Sequence, residues 1–205
     1  MPTEPVSPFI AILRGVGPGE VLAHARVLAD HGFAAIEVPT NSPDWAVSVR
    51  LLAEAHRAGP EIGAGTVLSI EDVERLAATG ARLMVTPNTD AAVIRLAKAK
   101  DLRVVAGVMT PSEALTALAA GADALKIFPA SVVGPRFARS LAAVLPRPVS
   151  LYAVGGITTA NLVDYAGGGW SGFGLGGELY RPGQSVADTA VRAAAFRRAW
   201  QELEP

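Results

Sequence analysis

The sequence contains no cysteine. Disulfides, thiolate nucleophiles and thiolate-bound zinc are excluded with it. There is also no excess of either charge: the 205 residues carry a formal net charge of −1, and no long run of one sign occurs. That excludes an electrostatic nucleic-acid binder with a basic arm. No stretch approaches about 18 consecutive apolar residues, the rough length of a membrane span, so no membrane partner is expected. The opening stretch MPTEPVSPFIAILRG lacks a basic segment followed by a long apolar one, so no signal peptide is expected, and a cytoplasmic location is. Histidine is scarce, and His24, His31 and His56 all fall within helical segments, away from any strand end. No His/Asp/Glu cluster has metal-ligand spacing, so no metal site is expected.

What is present is apolar and rhythmic. Half of the residues are hydrophobic, enough for one sizeable core and one domain spanning 1–205. Short apolar runs recur along the chain: FIAILRG (9–15), AAIEVPT (34–40), EIGAGTV (61–67), RLMVTPN (82–88), RVVAGVM (103–109), DALKIFP (123–129), SLYAVGG (150–156) and GFGLGG (172–177). Each is apolar throughout, as parallel strands buried on both faces should be. Ala- and Leu-rich helical segments lie between them. GEVLAHARVLADHG places Val21, Leu22, Ala25, Leu28 and Ala29 on one face, with Gly32 as the C-terminal stop. SIEDVERLAATG opens on Ser69 with Asp72 three residues on, a capping-box pattern. TPSEALTALAAG opens on Thr110, Pro111 and Glu113 and closes on Gly121. VRAAAFRRAWQELEP reads as the last helix. Eight strand–helix units without a composition break predict an α/β protein, a small (β/α)8 TIM barrel. An open doubly wound sheet is the alternative, and no GxGxxG follows the first strand to favour it.

In such barrels the chemistry sits where the strands end. The polar residues at those ends are Arg14, Glu37, Thr66, Thr86 or Asn88, and Lys126. Side chains alternate along a strand. If Lys126 faces the lumen, so do Ala124 and Phe128, while Leu125 and Ile127 face the helices. The same parity sends Glu37 and Arg14 inward. Lys98 and Lys100, the other lysines, close the DAAVIRLAKAKD helix, where cations suit the helix dipole. A lysine that attacks a carbonyl must be neutral, and its ordinary pKa is about 10.4. Apolar walls and a nearby cation such as Arg14 both lower it. Lys126 is therefore a candidate Schiff-base nucleophile. A buried structural ion pair with Glu37 is the alternative, an arrangement of little net stability. At the seventh and eighth strand ends, AVGGIT (153–158) and GFGLGGELY (172–180) supply glycine loops whose N–H groups could hold a phosphate. Neither strand brings a basic side chain, so backbone dipoles would carry the anion.

The motifs AILRG, IEVPTNSP, GAGTVL, VTPN, ALKIFP, AVGG and GLGGELYRPGQS, over nearly the whole chain, closely resemble the class I aldolases of 2-dehydro-3-deoxy-6-phosphogluconate and its galactonate epimer. The resemblance implies that Lys126 forms the Schiff base and that Glu37 is the general acid/base. It implies that Arg14 and Thr66 bind the substrate carboxylate, and that Gly155, Gly156, Gly176 and Gly177 hold the phosphate. The protonated imine is then the electron sink, so no organic cofactor is expected. Two positions lean toward the galactonate epimer. Asn41 stands where the gluconate enzymes typically have Arg, and Val154 where they have Thr before the Gly pair. A hydroxyl at the latter position can hydrogen-bond one C4 configuration, and losing such a partner can decide between substrates. A gluconate or dual-epimer enzyme is the first alternative. Other phosphate-binding barrels, such as thiamine-phosphate synthase or indole-glycerol-phosphate enzymes, and a non-enzymatic sugar-phosphate binder follow. Gly177 departs from relatives that carry Ser there, which predicts weaker phosphate binding without loss of activity. The partners implied are a phosphorylated sugar acid and pyruvate, and the implied assembly is a homotrimer.

Overall fold

Each of the eight apolar runs contains a strand, shorter than the run because its last residues turn into the loops at the mouth. The computed structural model describes residues 8–33, 35–146 and 148–203. The strands are β1 (Phe9–Ile12), β2 (Ala35–Pro39), β3 (Glu61–Gly65), β4 (Leu83–Val85), β5 (Arg103–Val108), β6 (Ala124–Ile127), β7 (Ser150–Val154) and β8 (Gly172–Leu175). They pair in parallel in chain order, and β8 closes on β1 to complete a barrel. The predicted (β/α)8 architecture is thus observed, and the open sheet is not. The helices are α1 (Val21–Asp30), α2 (Trp45–Ala55), α3 (Ile70–Ala77), α4 (Ala91–Ala99), α5 (Pro111–Ala119), α6 (Ala130–Val133), α7 (Phe137–Ala142), α8 (Leu162–Ala166) and α9 (Val186–Gln201). None of the described helices is long and apolar enough to cross a membrane.

Strand parity divides the core into two layers. Ile10, Ile12, Ala35, Leu83, Val85, Val105, Ala124, Tyr152 and Val154 fill the lumen. Their neighbours, including Leu13, Ile36, Val38, Leu125, Ile127 and Phe173, pack outward under the helices. Glycines facing inward give the large lumen side chains room. A Cβ on Gly174 would lie 2.7 Å from Val154 Cγ2.

The predicted helix signals are present with differences. Thr110 and Glu113 form a full capping box, with Pro111 opening α5. Ser69 makes half of one, its Oγ accepting from the Asp72 N–H at 3.1 Å. Gly32 and Gly121 lie just past α1 and α5 at φ +76° and +104°, the left-handed stop expected of them. The predicted face of α1 needs correction. Leu22 is 40% exposed, and His24 takes the buried position in its place. His24 is accommodated there because Nδ1 shares a 2.9 Å hydrogen bond with Thr189 Oγ1 of α9. The last helix also begins earlier than the segment read from 191, because Ser185 and Asp188 form a second full capping box. The last two residues of that predicted segment lie outside the described residues, as do residues 1–7 of the opening stretch. Lys98 and Lys100 do more than face a helix dipole: each is paired, with Asp123 and with Glu74, at 2.7 Å.

Candidate active site

Lys126 lies on β6 between Gly107 of β5 and Tyr152 of β7. Only 4% of it is exposed, and its Nζ stands 5.1 Å from the centre of the Phe128 ring. Glu37 enters the lumen from β2 and is 1% exposed. Its carboxylate rests on the α-carbon of Gly65, where any Cβ would overlap both of its oxygens. Glu37 Oε2 is buried without a hydrogen-bond partner. The two charged groups are not in ion-pair contact, which removes the direct structural pair as an account of Lys126. They nevertheless feel each other. Burial raises the Glu37 carboxyl to about 7 against the pull of Lys126, Arg14 and the Gly65 backbone. Burial also lowers the Lys126 ammonium, and the Arg14 charge adds to that, opposed by Glu37. Near neutral pH the pair holds a carboxyl able to give or take a proton beside an amine pushed toward its neutral form.

Arg14 follows β1 and leans across the mouth. Its Nη1 donates to Asn41 Oδ1 at 2.6 Å and its Nη2 to Thr66 Oγ1 at 3.4 Å. Thr66 has φ +57°, a left-handed conformation unfavourable for a β-branched residue. Such strain costs on the order of 1–3 kcal/mol and persists only where neighbours over-determine it. Here they do: Thr40 Oγ1 donates to the Thr66 carbonyl at 2.6 Å, and the Thr40 N–H donates to the Gly65 carbonyl at 2.8 Å. Thr86 has a different place. It is buried, its Oγ1 donating to the Asn88 carbonyl at 2.6 Å and accepting from the Gly107 N–H at 3.0 Å, so it shapes the strand end. Asn88 is exposed.

A cavity of about 420 Å³ opens above Lys126 and brings together Arg14, Thr66, Val154, Gly155, Gly156, Gly176 and Gly177. Glu37 lies beneath it and Asn41 behind Arg14; neither lines the cavity. Ile12, Pro87, Phe128, Ile157, Gly174 and Glu178 complete the lining. At the glycine end the carbonyls are drawn back into the protein. The Gly155 carbonyl accepts from the Ser131 N–H at 3.1 Å, and the Gly156 carbonyl from Asn161 Nδ2 at 2.8 Å. In the other loop the Gly176 carbonyl accepts from the N–H groups of Leu179 and Tyr180 at 2.7 and 2.9 Å. The Gly177 carbonyl accepts from Arg181 Nε at 2.9 Å, and the Glu178 carbonyl from Arg192 Nη1 at 3.0 Å. The N–H groups of Gly156, Ile157, Gly177 and Glu178 have no acceptor among the described residues. Unpaired backbone donors lining a cavity suit an anion. Among the described residues no cluster of His, Asp and Glu could hold a metal ion.

Asn161 was within reach of the sequence, since Thr158 and Asn161 cap each other across the TTAN turn at 2.8 and 3.2 Å. Arg181 and Arg192 had no such signal, because tertiary packing alone brings them behind the loop.

The KDPG and KHG aldolase family matches residues 4–185 of this chain. The chain is 50% identical over 195 residues to the 2-dehydro-3-deoxy-6-phosphogalactonate aldolase of Escherichia coli K12, covering 95% of each protein. It is 49% identical over 204 residues to the probable 2-dehydro-3-deoxy-6-phosphogalactonate aldolase of Rhizobium meliloti, covering 99% of this chain and 96% of the relative. A solved structure described as native KDPGal superposes with a TM-score of 0.95 at 48% identity, covering 99% of this chain and 98% of that one.

Proposed function

Because the chain belongs to the KDPG and KHG aldolase family, and is thereby an aldolase, we propose that it cleaves 2-dehydro-3-deoxy-6-phospho-D-galactonate to pyruvate and D-glyceraldehyde 3-phosphate through a Schiff base on Lys126. The observation that carries the mechanism is a buried lysine, in no ion pair with the described residues, at the base of a cavity and near a buried carboxyl whose pKa is raised to about 7.

In this reading neutral Lys126 attacks the C2 ketone, and the carbinolamine loses its hydroxyl as water with a proton from Glu37. The resulting iminium accepts the electron pair of the C3–C4 bond as Glu37 takes the proton of the C4 hydroxyl. Glyceraldehyde 3-phosphate leaves, the enamine is protonated at C3, and water releases pyruvate and free Lys126. Glu37 can serve each step from across the lumen, directly or through one water. Arg14 and Thr66 receive the C1 carboxylate, and Asn41 acts through Arg14. The phosphate lies against the glycine loops, where four N–H groups face the cavity. Val154 borders the path between these ends and offers no hydroxyl to the C4 oxygen, which supports the galactonate epimer.

We assign the assembly as a homotrimer in the cytoplasm; light scattering at three times the chain mass would support the trimer, and a monomer would remove it. The mechanism is tested by borohydride trapping with pyruvate and peptide mapping. A pyruvyl adduct on Lys126 supports it, and folded protein without an adduct overturns it.

A further inference from the structure

We propose that Arg181 is a positioning residue for phosphate recognition: it fixes the peptide plane between Gly177 and Glu178 so that the Glu178 N–H faces the anion. The inference rests on reading the glycine end of the cavity as the phosphate site.

In a trans peptide the carbonyl of one residue and the N–H of the next point in opposite directions. Whatever holds the carbonyl outward therefore aims the following N–H inward. Two of the four inward N–H groups are aimed by backbone bonds. The Ser131 N–H holds the Gly155 carbonyl and so aims Gly156, and the Leu179 and Tyr180 N–H groups hold the Gly176 carbonyl and so aim Gly177. The other two depend on side chains: Asn161 behind Gly156 aims Ile157, and Arg181 behind Gly177 aims Glu178. A glycine precedes each of these two planes, Gly156 and Gly177, and glycine resists a peptide flip least, so both planes need a holder. Arg181 itself is exposed and does not line the cavity. Its Nη2 also lies 3.4 Å from Glu178 Oε1, offsetting a carboxylate that borders the site and would repel phosphate.

The test compares wild type, Arg181→Ala and Arg181→Lys in the condensation of pyruvate with D-glyceraldehyde 3-phosphate and with D-glyceraldehyde, alongside inhibition by inorganic phosphate. For Arg181→Ala, KM for the phosphorylated aldehyde should rise about tenfold and phosphate inhibition should weaken in step. KM for D-glyceraldehyde, and kcat with either aldehyde, should move by less than about twofold. Arg181→Lys should fall between the two, since an ammonium keeps the charge but loses the guanidinium's fixed pair of donors. Equal losses for both aldehydes, or none for either, would overturn the proposal, and so would full recovery in Arg181→Lys, which would leave charge alone as the role. If wild type treats both aldehydes alike and ignores inorganic phosphate, the phosphate reading itself fails, and the proposal with it.

Discussion

Where the strands begin, the barrel pairs its charges. Arg103 Nη1 meets Glu61 Oε2 at 3.3 Å, and Lys98 Nζ meets Asp123 Oδ2 at 2.7 Å. The same Asp123 oxygen accepts from the Val104 N–H at 2.7 Å. Where the strands end, the charges around the lumen are kept apart, and only at the rim does Glu178 meet Arg181, at 3.4 Å, among the described residues. Glu37 leaves an oxygen unpaired, Lys126 is in no ion pair with the described residues, and Arg14 directs its donors to the neutral oxygens of Asn41 and Thr66. Backbone strain at Thr66 and unpaired N–H groups at the glycine loops lie at this end too. One end satisfies its groups and serves stability; the other leaves them for a ligand to complete. In the proposed reading, ketone, carboxylate and phosphate correspond to the three sets left open at the mouth.

Substitutions at the two ends should therefore separate activity from stability. The largest effect is expected for Lys126→Ala, which should hold cleavage below about 1% of wild type with the fold intact, since the covalent route is gone. Pyruvate release and circular dichroism together check it. Glu37→Gln should slow cleavage roughly 10²–10⁴-fold. It should also change the pH dependence of stability. The native carboxyl keeps its proton up to about 7, whereas the ordinary value is 4.5. The native state then binds more protons than the unfolded chain in that window, so wild type loses stability as pH rises through it. Glu37→Gln lacks this slope, and its advantage over wild type should grow to about 3 kcal/mol by pH 7 and stay level above, read from denaturant midpoints. At the opposite end, Arg103→Ala should destabilise by about 1–3 kcal/mol by leaving Glu61 half-buried and unpaired, with kcat nearly unchanged. A fall in kcat there would break the division between the ends. The smallest change expected in catalysis is a shift of selectivity in Val154→Thr, whose relative kcat/KM should move toward the gluconate epimer by about tenfold, at a cost of about 1–3 kcal/mol for placing a hydroxyl at a buried position. Unchanged selectivity would remove Val154 from the choice of epimer.

Much of this was readable before any coordinates. Strands buried on both faces appear as unbroken apolar runs, and eight of them leave few architectures. Parity along ALKIFP and AIEVP already turned Lys126 and Glu37 inward, because a strand has only two faces. What escaped is what long-range packing decides. The left-handed backbone of Thr66 has no mark in GAGTV. The bond from Arg14 to Asn41 crosses 27 residues and joins two loops. The burial of His24 has no mark in its own helix, because its partner Thr189 lies far along the chain. Carbonyls drawn back by Arg181 and Arg192 follow from the placement of the last loop and helix.

Gly65 sets a boundary for anyone reshaping this mouth by mutation. Changes at Val154 and Gly177 alter a wall of the cavity, and with it the choice of epimer or the hold on phosphate, and leave its floor in place. Position 65 acts on the acid/base group instead, whose carboxyl must move for any side chain placed there. Its smallest change, to alanine, puts a methyl into the volume that the Glu37 carboxylate occupies, and every larger residue begins with that same methyl. A search for new aldol acceptors in this scaffold should hold residue 65 constant and spend its diversity elsewhere around the rim.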